Sequence, residues 1–266
     1  MVTFAAPGAS TASIVPAVSV AAAAGGDVGP AVVLVHGVGV GPESFTRTAA
    51  VLAAAGRRVH RVTRPGYGLG RDAPDLDEQV DVVLATLAAH GEHDAVWAGV
   101  SGGATIGVIA ASRRPAVIRV AVLHEPLIGP AGGEVHRLVQ RAAQRLAACP
   151  DGAVARRAAV EFVTRLVGPD SWAALGAAGR AAVAERTAVI RAEVPCFAAF
   201  EAGTVPDDGA VSVVVTVGER SPDMRHEAAA RAAELLHGRM TVIPGVGHLP
   251  QVEAPDVFAV LTSCSR

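Results

Sequence analysis

Lysine and asparagine are missing from all 266 residues, so all 23 cationic side chains other than histidine are arginines. With the heavy use of Ala, Gly and Val, this reads as the codon bias of a GC-rich genome and not as function. The formal charge is only −2, which gives nucleic acid or an anionic membrane nothing to bind. Cysteine is scarce: Cys149, Cys196 and Cys264 are odd in number, far apart and without a CxxC pair. That pattern suits a reducing compartment and argues against both a disulfide framework and a zinc site. The apolar run 14–24 lacks a basic flank, since the first positive side chain is Arg47, so it does not read as an export signal. No apolar stretch reaches the length of a membrane span without Gly, Pro or charge interrupting it. A cytoplasmic protein, monomer or homodimer, acting on a small molecule is expected. Aromatics make up 3% of the chain, with a single tyrosine, Tyr67, for which pocket lining and loop packing are both open readings.

What is abundant is apolar surface, 51% of residues, enough for one large α/β domain with an insertion. Residues 12–23 read as a pair of antiparallel strands, with Gly25-Gly26-Asp27 as a turn. Ala31-Val32-Val33-Leu34-Val35 is a short β-branched run of the kind buried on both faces of a parallel sheet. A helix over 45–55 stops at Gly56, and a strand over 57–63 leads into Arg64-Pro65-Gly66-Tyr67-Gly68. Helix 76–89, strand 94–98, helix 104–112 and strand 117–123 continue the alternation. From 127 to 205 the rhythm changes to helix-like segments, 134–148, 153–167 and 172–192, with no good strand. Strand 211–217, helix 223–236, strand 240–243 and helix 256–262 close the chain. The expected fold is α/β, a mostly parallel doubly wound sheet with ligands at the carboxyl ends of its strands. Residues 1–126 and 206–266 form the core domain in this reading, and 127–205 a helical cap roofing the pocket.

Between a strand and a helix stands Gly99-Val100-Ser101-Gly102-Gly103, the G-x-S-x-G of a nucleophile elbow. The turn is so tight that side chains beside Ser101 would clash, hence the flanking glycines. Strand 31–35 ends in His36-Gly37-Val38-Gly39. Its glycine spacing is not GxGxxG, and no acid follows where a ribose partner should be, so no nucleotide cofactor is expected. Instead the N–H of Val38, with that of Gly102, can form a two-donor oxyanion hole. His248, in Gly245-Val246-Gly247-His248-Leu249-Pro250 after the last strand, is the candidate base. A serine hydroxyl needs a neutral imidazole to take its proton. His90-x-x-His93 lacks further ligands and reads as a solvated helix end, so no metal is expected.

The acid that should orient His248 is the open question. Its commonest place, the loop after strand 211–217, reads Gly218-Glu219-Arg220-Ser221-Pro222-Asp223, with Ser221 where an Asp is expected. Glu125, just past the strand that follows the elbow helix, can reach the same imidazole nitrogen. Asp223 and Glu219 are the alternatives.

Together His36-Gly37, the elbow at Ser101 and Gly247-His248, in that order, resemble the α/β-hydrolase superfamily over essentially the whole chain. Within it, His124-Glu125, the missing acid at Ser221 and Trp172-Ala173-Ala174-Leu175-Gly176 look like the zearalenone-type lactonohydrolases. That resemblance implies hydrolysis of a carboxylic ester or lactone, as in resorcylic macrolactones, by a Ser101–Glu125–His248 triad with Val38 and Gly102 as oxyanion donors. It requires no cofactor. The candidate substrate contacts are Gly37, Pro126, Trp172 and Ile190. Ile190 stands where the fungal enzymes carry an aromatic on the cap helix. The same scaffold also hosts C–C bond hydrolases, cofactor-free perhydrolases and pathway cyclases, or a receptor that binds without turnover.

Overall fold

The computed structural model describes residues 18–21, 29–68, 75–203 and 210–263. Seven strands form one sheet: β1 (Val18–Ala21), β2 (Val32–Val35), β3 (Val59–Val62), β4 (Ala95–Val100), β5 (Ile118–His124), β6 (Ser212–Gly218) and β7 (Arg239–Ile243). Their spatial order is β1-β3-β2-β4-β5-β6-β7. Strands β2 to β7 are all parallel, and β1 lies antiparallel against β3, with Val18 opposite Val62. Of the strand pair expected over 12–23, β1 is the described part; the remainder, and the turn at 25–27, lie outside the described residues.

Every residue of β2 and β4 is buried, because helices cover both faces of the sheet. The helices of the first half are α1 (Thr46–Ala54), α2 (Leu76–Ala89) and α3 (Gly102–Arg113). Helix α2 begins as its sequence dictates: the Asp75 side chain accepts from the Glu78 N–H, capping the first turn. The small-residue run of α3 lets it lie directly on the sheet, where a Cβ at Gly107 would sit 2.4 Å from Trp97 Nε1. The Trp97 indole is wholly buried and donates to the Gly103 carbonyl at 3.0 Å.

Between β5 and β6 the described residues hold α4 (Glu134–Ala148), α5 (Ala153–Val167), α6 (Pro169–Ala174), α7 (Gly176–Glu185) and α8 (Thr187–Ala199). Helix α4 buries Val135, Val139 and Leu146, on one helical face, and turns Arg137, Arg141 and Arg145 to water. The single helix expected over 172–192 is three. Pro169 opens α6, Gly176 in the left-handed region (φ 66°) breaks the chain after it, and a turn at Arg186 separates α7 from α8. An uninterrupted alanine-rich pattern concealed those breaks. The last helices are α9 (Asp223–Leu235), α10 (Pro250–Glu253) and α11 (Pro255–Ser263).

Strand order decides which loops meet. From β2 the chain steps one way to β3, then crosses back to β4 and continues the other way to β7. The crevice at such a reversal, between β2 and β4, is where open α/β sheets bind ligands. The loops after β2 and β4 flank it, and those after β5, β6 and β7 follow in line.

Candidate active site

Ser101 caps β4 at φ 54° and ψ −119°, a conformation that costs a non-glycine residue free energy and is found where function requires it. The neighbouring glycines are obligatory. A Cβ at Gly99 would lie 2.3 Å from the Gly103 carbonyl oxygen, and one at Gly103 2.0 Å from that of Val35. Gly37 faces the serine, its absent Cβ falling 3.0 Å from Ser101 Cβ and 3.6 Å from Oγ. Among the described residues the Val38 N–H meets no acceptor.

Glu125, also at positive φ (47°), is the carboxylate that meets His248. Its Oε2 accepts from His248 Nδ1 at 2.5 Å and is ion-paired with Arg225 Nε at 3.1 Å. Its Oε1 accepts from Ser221 Oγ at 2.5 Å and from the Gly218 N–H at 3.1 Å. Glu219 is exposed and accepts from the Gly245 N–H at 2.8 Å, and Asp223 is exposed at the start of α9. Neither touches His248. Ser221 therefore serves Glu125 as a hydroxyl donor and not His248 as an acid.

Burial of Glu125 pushes its pKa up, but the Arg225 guanidinium and the two imidazoles of His248 and His124 outweigh it and hold the carboxyl well below the usual range. His248 is lowered, by burial first and then by Arg225, against the pull of Glu125. Burial likewise lowers His124 to about 4. Both imidazoles are thus neutral at pH 7, and His248 can accept a proton. Its Nε2 is buried and makes no hydrogen bond among the described residues, to Ser101 Oγ or to any other group. The structure joins the acid to the base and leaves the base–serine contact open.

The elements between β5 and β6 reach the same place. The Ser171 hydroxyl, on α6, accepts from the His248 N–H at 3.0 Å and donates to Glu253 Oε1 at 2.6 Å. Glu253 in turn accepts from the N–H groups of Gly247 at 2.9 Å and Leu249 at 3.1 Å, so the turn carrying His248 is held on both sides. From α8, Ile190 is fully buried, and a Cβ at Gly39 would meet its Cδ1 at 3.3 Å. Phe197 sets its Cζ where a Cβ at Gly102 would come within 2.9 Å. Trp172 is half-buried on α6 and packs against the core. Pro126 is buried, at the start of the segment that carries Leu127 and Ile128 into the core. Tyr67 packs its ring edge-on to His36 at 4.4 Å and bonds the Gly39 N–H, so it holds a loop.

Three of these groups, Arg225, Ser171 and Phe197, escaped sequence reasoning, as did Glu193, which is fully buried on α8. Two left a signal. Arg225 shares its helix face with Ala228, Ala229, Ala232 and Ala233, and Glu193 lies among Val189, Ile190, Val194 and Phe197. A charge at a core position of an apolar face must have a buried partner.

His124, Glu125 and His248 offer ligand atoms within 4.8 Å of one another. They do not fit a metal ion. Three hydrogen-bond donors already occupy the Glu125 oxygens, and the Arg225 guanidinium against that carboxylate repels a dication. Among the described residues no helix is long and apolar enough to cross a membrane.

Residues 32–261 match the family model described as the alpha/beta hydrolase family, and the chain belongs to that family. No curated protein matches it in sequence. Solved structures with the same fold include a hydrolase from Pseudomonas aeruginosa, 17% identical with a TM-score of 0.70 over 92% of each chain. An esterase from a Rhodococcus species is 25% identical, with a TM-score of 0.67 over 94% of each chain. The enol-lactonase of Burkholderia xenovorans is 17% identical, with a TM-score of 0.67 over 92% of this chain and 94% of that one.

Proposed function

We propose that the protein is a serine hydrolase that cleaves a carboxylic ester or lactone. The observation that carries this reading is the buried Glu125–His248 hydrogen bond of 2.5 Å, with the strained Ser101 at the tip of the adjacent strand. Ser101 Oγ attacks the substrate carbonyl carbon as its proton passes to His248 Nε2. The imidazolium so formed is stabilised by Glu125, whose carboxyl stays ionised because Arg225 holds it so. The N–H groups of Val38 and Gly102 receive the oxyanion. Collapse of the tetrahedral intermediate expels the alkoxide, which takes the proton from His248 and leaves an acyl-Ser101. Water then gives a proton to His248 and attacks the acyl carbon, releasing the acid and restoring the serine. The open serine–base contact is consistent with this sequence, because such hydrogen bonds often tighten only when substrate is bound.

The helices within 127–205 act as a cap over the site in this reading, and Gly37, Pro126, Trp172, Ile190 and Phe197 as candidate substrate contacts. A lactone ring, including a resorcylic macrolactone of the zearalenone type, is the proposed substrate class on the strength of the His124-Glu125 and Trp172-Ala173-Ala174-Leu175-Gly176 resemblance. The named activities of the Rhodococcus and Burkholderia proteins are of the same ester type. The test is labelling by a fluorophosphonate with turnover of a panel of aryl esters, lactones and a β-diketone. Labelling of Ser101 and ester or lactone turnover, both abolished in Ser101→Ala, are expected. Turnover of the diketone alone, or labelling that survives Ser101→Ala, overturns the reading.

A further inference from the structure

The loop after β2 is held by charged groups that the proposed chemistry does not use. Gly37 O accepts from Arg64 Nη2 at 3.0 Å and from His36 Nδ1 at 3.1 Å. His36 Nε2 accepts from the Arg64 N–H at 3.3 Å, which places the imidazole proton on Nδ1. The next peptide is held too, because the Gly39 N–H donates to the Tyr67 hydroxyl at 2.6 Å. Val38 thus sits between two anchored peptide units.

Gly37 O and the Val38 N–H belong to one planar, trans peptide group and point in opposite directions. Donors that fix the carbonyl therefore fix the N–H, and that N–H meets no acceptor among the described residues. A guanidinium donating to the carbonyl also polarises the peptide and strengthens its N–H as a donor.

Arg64 is fully buried and in turn gives Nη1 to Glu193 Oε2 at 2.9 Å and to Gln79 Oε1 at 2.5 Å. The Tyr67 hydroxyl donates to Glu193 Oε1. Glu193 lies on α8, on the same face as Ile190 against Gly39 and Phe197 against Gly102. A buried ion pair is seldom more stable than apolar residues of the same volume, so stability alone does not account for it. We infer that Arg64 is a positioning residue for the Val38 oxyanion donor, and that Glu193 makes this positioning depend on the seating of α8. The inference rests on the hydrolase reading for its catalytic meaning; the anchoring of the loop does not.

The test uses the full chain as wild type, Glu193→Gln, and Arg64→Met combined with Glu193→Gln, which leaves no buried charge unpaired. In the double variant kcat on an aryl ester falls about 10²-fold, the loss of one oxyanion donor, with KM within about threefold. The infrared carbonyl stretch of the acyl-enzyme moves to higher wavenumber, which a merely structural role would not produce, and its crystal structure shows the Gly37–Val38 peptide turned or in two orientations. Glu193→Gln shifts each readout less and in the same direction, and decides the matter should the double variant not fold. Folded variants with the wild-type stretch, kcat within threefold and an unmoved peptide overturn the inference. A wild type that neither labels nor turns over any ester sinks the hydrolase reading instead; the orientation of the Gly37–Val38 peptide then decides the anchoring by itself.

Discussion

Glutamine at position 125 keeps the shape of the glutamate, removes its charge and turns one acceptor oxygen into a donor NH2. The native carboxylate accepts three hydrogen bonds, from Ser221 and Gly218 on Oε1 and from His248 on Oε2, and Oε2 is also ion-paired with Arg225. An amide can serve the partners of only one of those two oxygens. Whichever way it turns, the buried Arg225 guanidinium loses the carboxylate that balances it, keeping only the Leu166 carbonyl at 2.5 Å. Breaking a buried pair in this way costs about 3–5 kcal/mol of stability. Losing the carboxylate that orients a catalytic imidazole costs about 10⁴ in turnover, or about 5 kcal/mol of barrier. The two effects separate experimentally. In urea unfolding Glu125→Gln is destabilised by the stated amount, and Glu125→Gln with Arg225→Met recovers at least about 2 kcal/mol by removing the orphaned charge. On an aryl ester both variants stay near the 10⁴-fold deficit, and Asp223→Asn keeps wild-type turnover. A folded Glu125→Gln with kcat within tenfold of wild type, or an Asp223→Asn as impaired as Glu125→Gln is expected to be, refutes the assignment of the acid.

The lowered His248 places the acidic limb of kcat/KM below pH 6.5, and a pH–rate profile with an aryl ester checks it. His124, neutral when folded down to about 4, binds a proton in the unfolded chain from 6.5 downward. Folding stability is therefore lost as pH falls from 6.5 to about 4, by about 3 kcal/mol for this group, measurable by urea unfolding across that range. Ser171→Ala removes the acceptor of the His248 N–H and the donor to Glu253, and should cost about 1–3 kcal/mol of stability. It should also lower kcat by about 10- to 100-fold at little change in KM, because the imidazole is misplaced and substrate contacts are not. Gly103→Ala, with its Cβ 2.0 Å from the Val35 carbonyl oxygen, should yield no soluble folded protein.

Helix α2 was legible to the residue, because its apolar spacing is bounded by Asp75 and ends before Gly91. The elbow was legible for a stronger reason: only glycine fits at 99 and 103, so the sterics are written in the residue types themselves. The breaks within 172–192 were not, since Gly176 looks like any glycine in an alanine-rich run until its φ is known. Glu125 was the acid preferred, because Ser221 replaces the usual acid and a longer side chain from the neighbouring loop reaches the same imidazole, but Asp223 and Glu219 stayed as alternatives because each lies near the same sheet edge.

The residues by themselves determined the alternation of strands and helices, the serine in its glycine frame and the histidine in its turn. Those properties are local, set by sterics and periodicity over a few neighbours. Only the tertiary structure decided which carboxylate meets His248, what balances it, and that α6 and α8 bear on the His248 and Val38 loops. The contacts concerned join residues 171 with 248, 193 with 64 and 125 with 225, brought together by strand order and helix seating, and no local pattern encodes them.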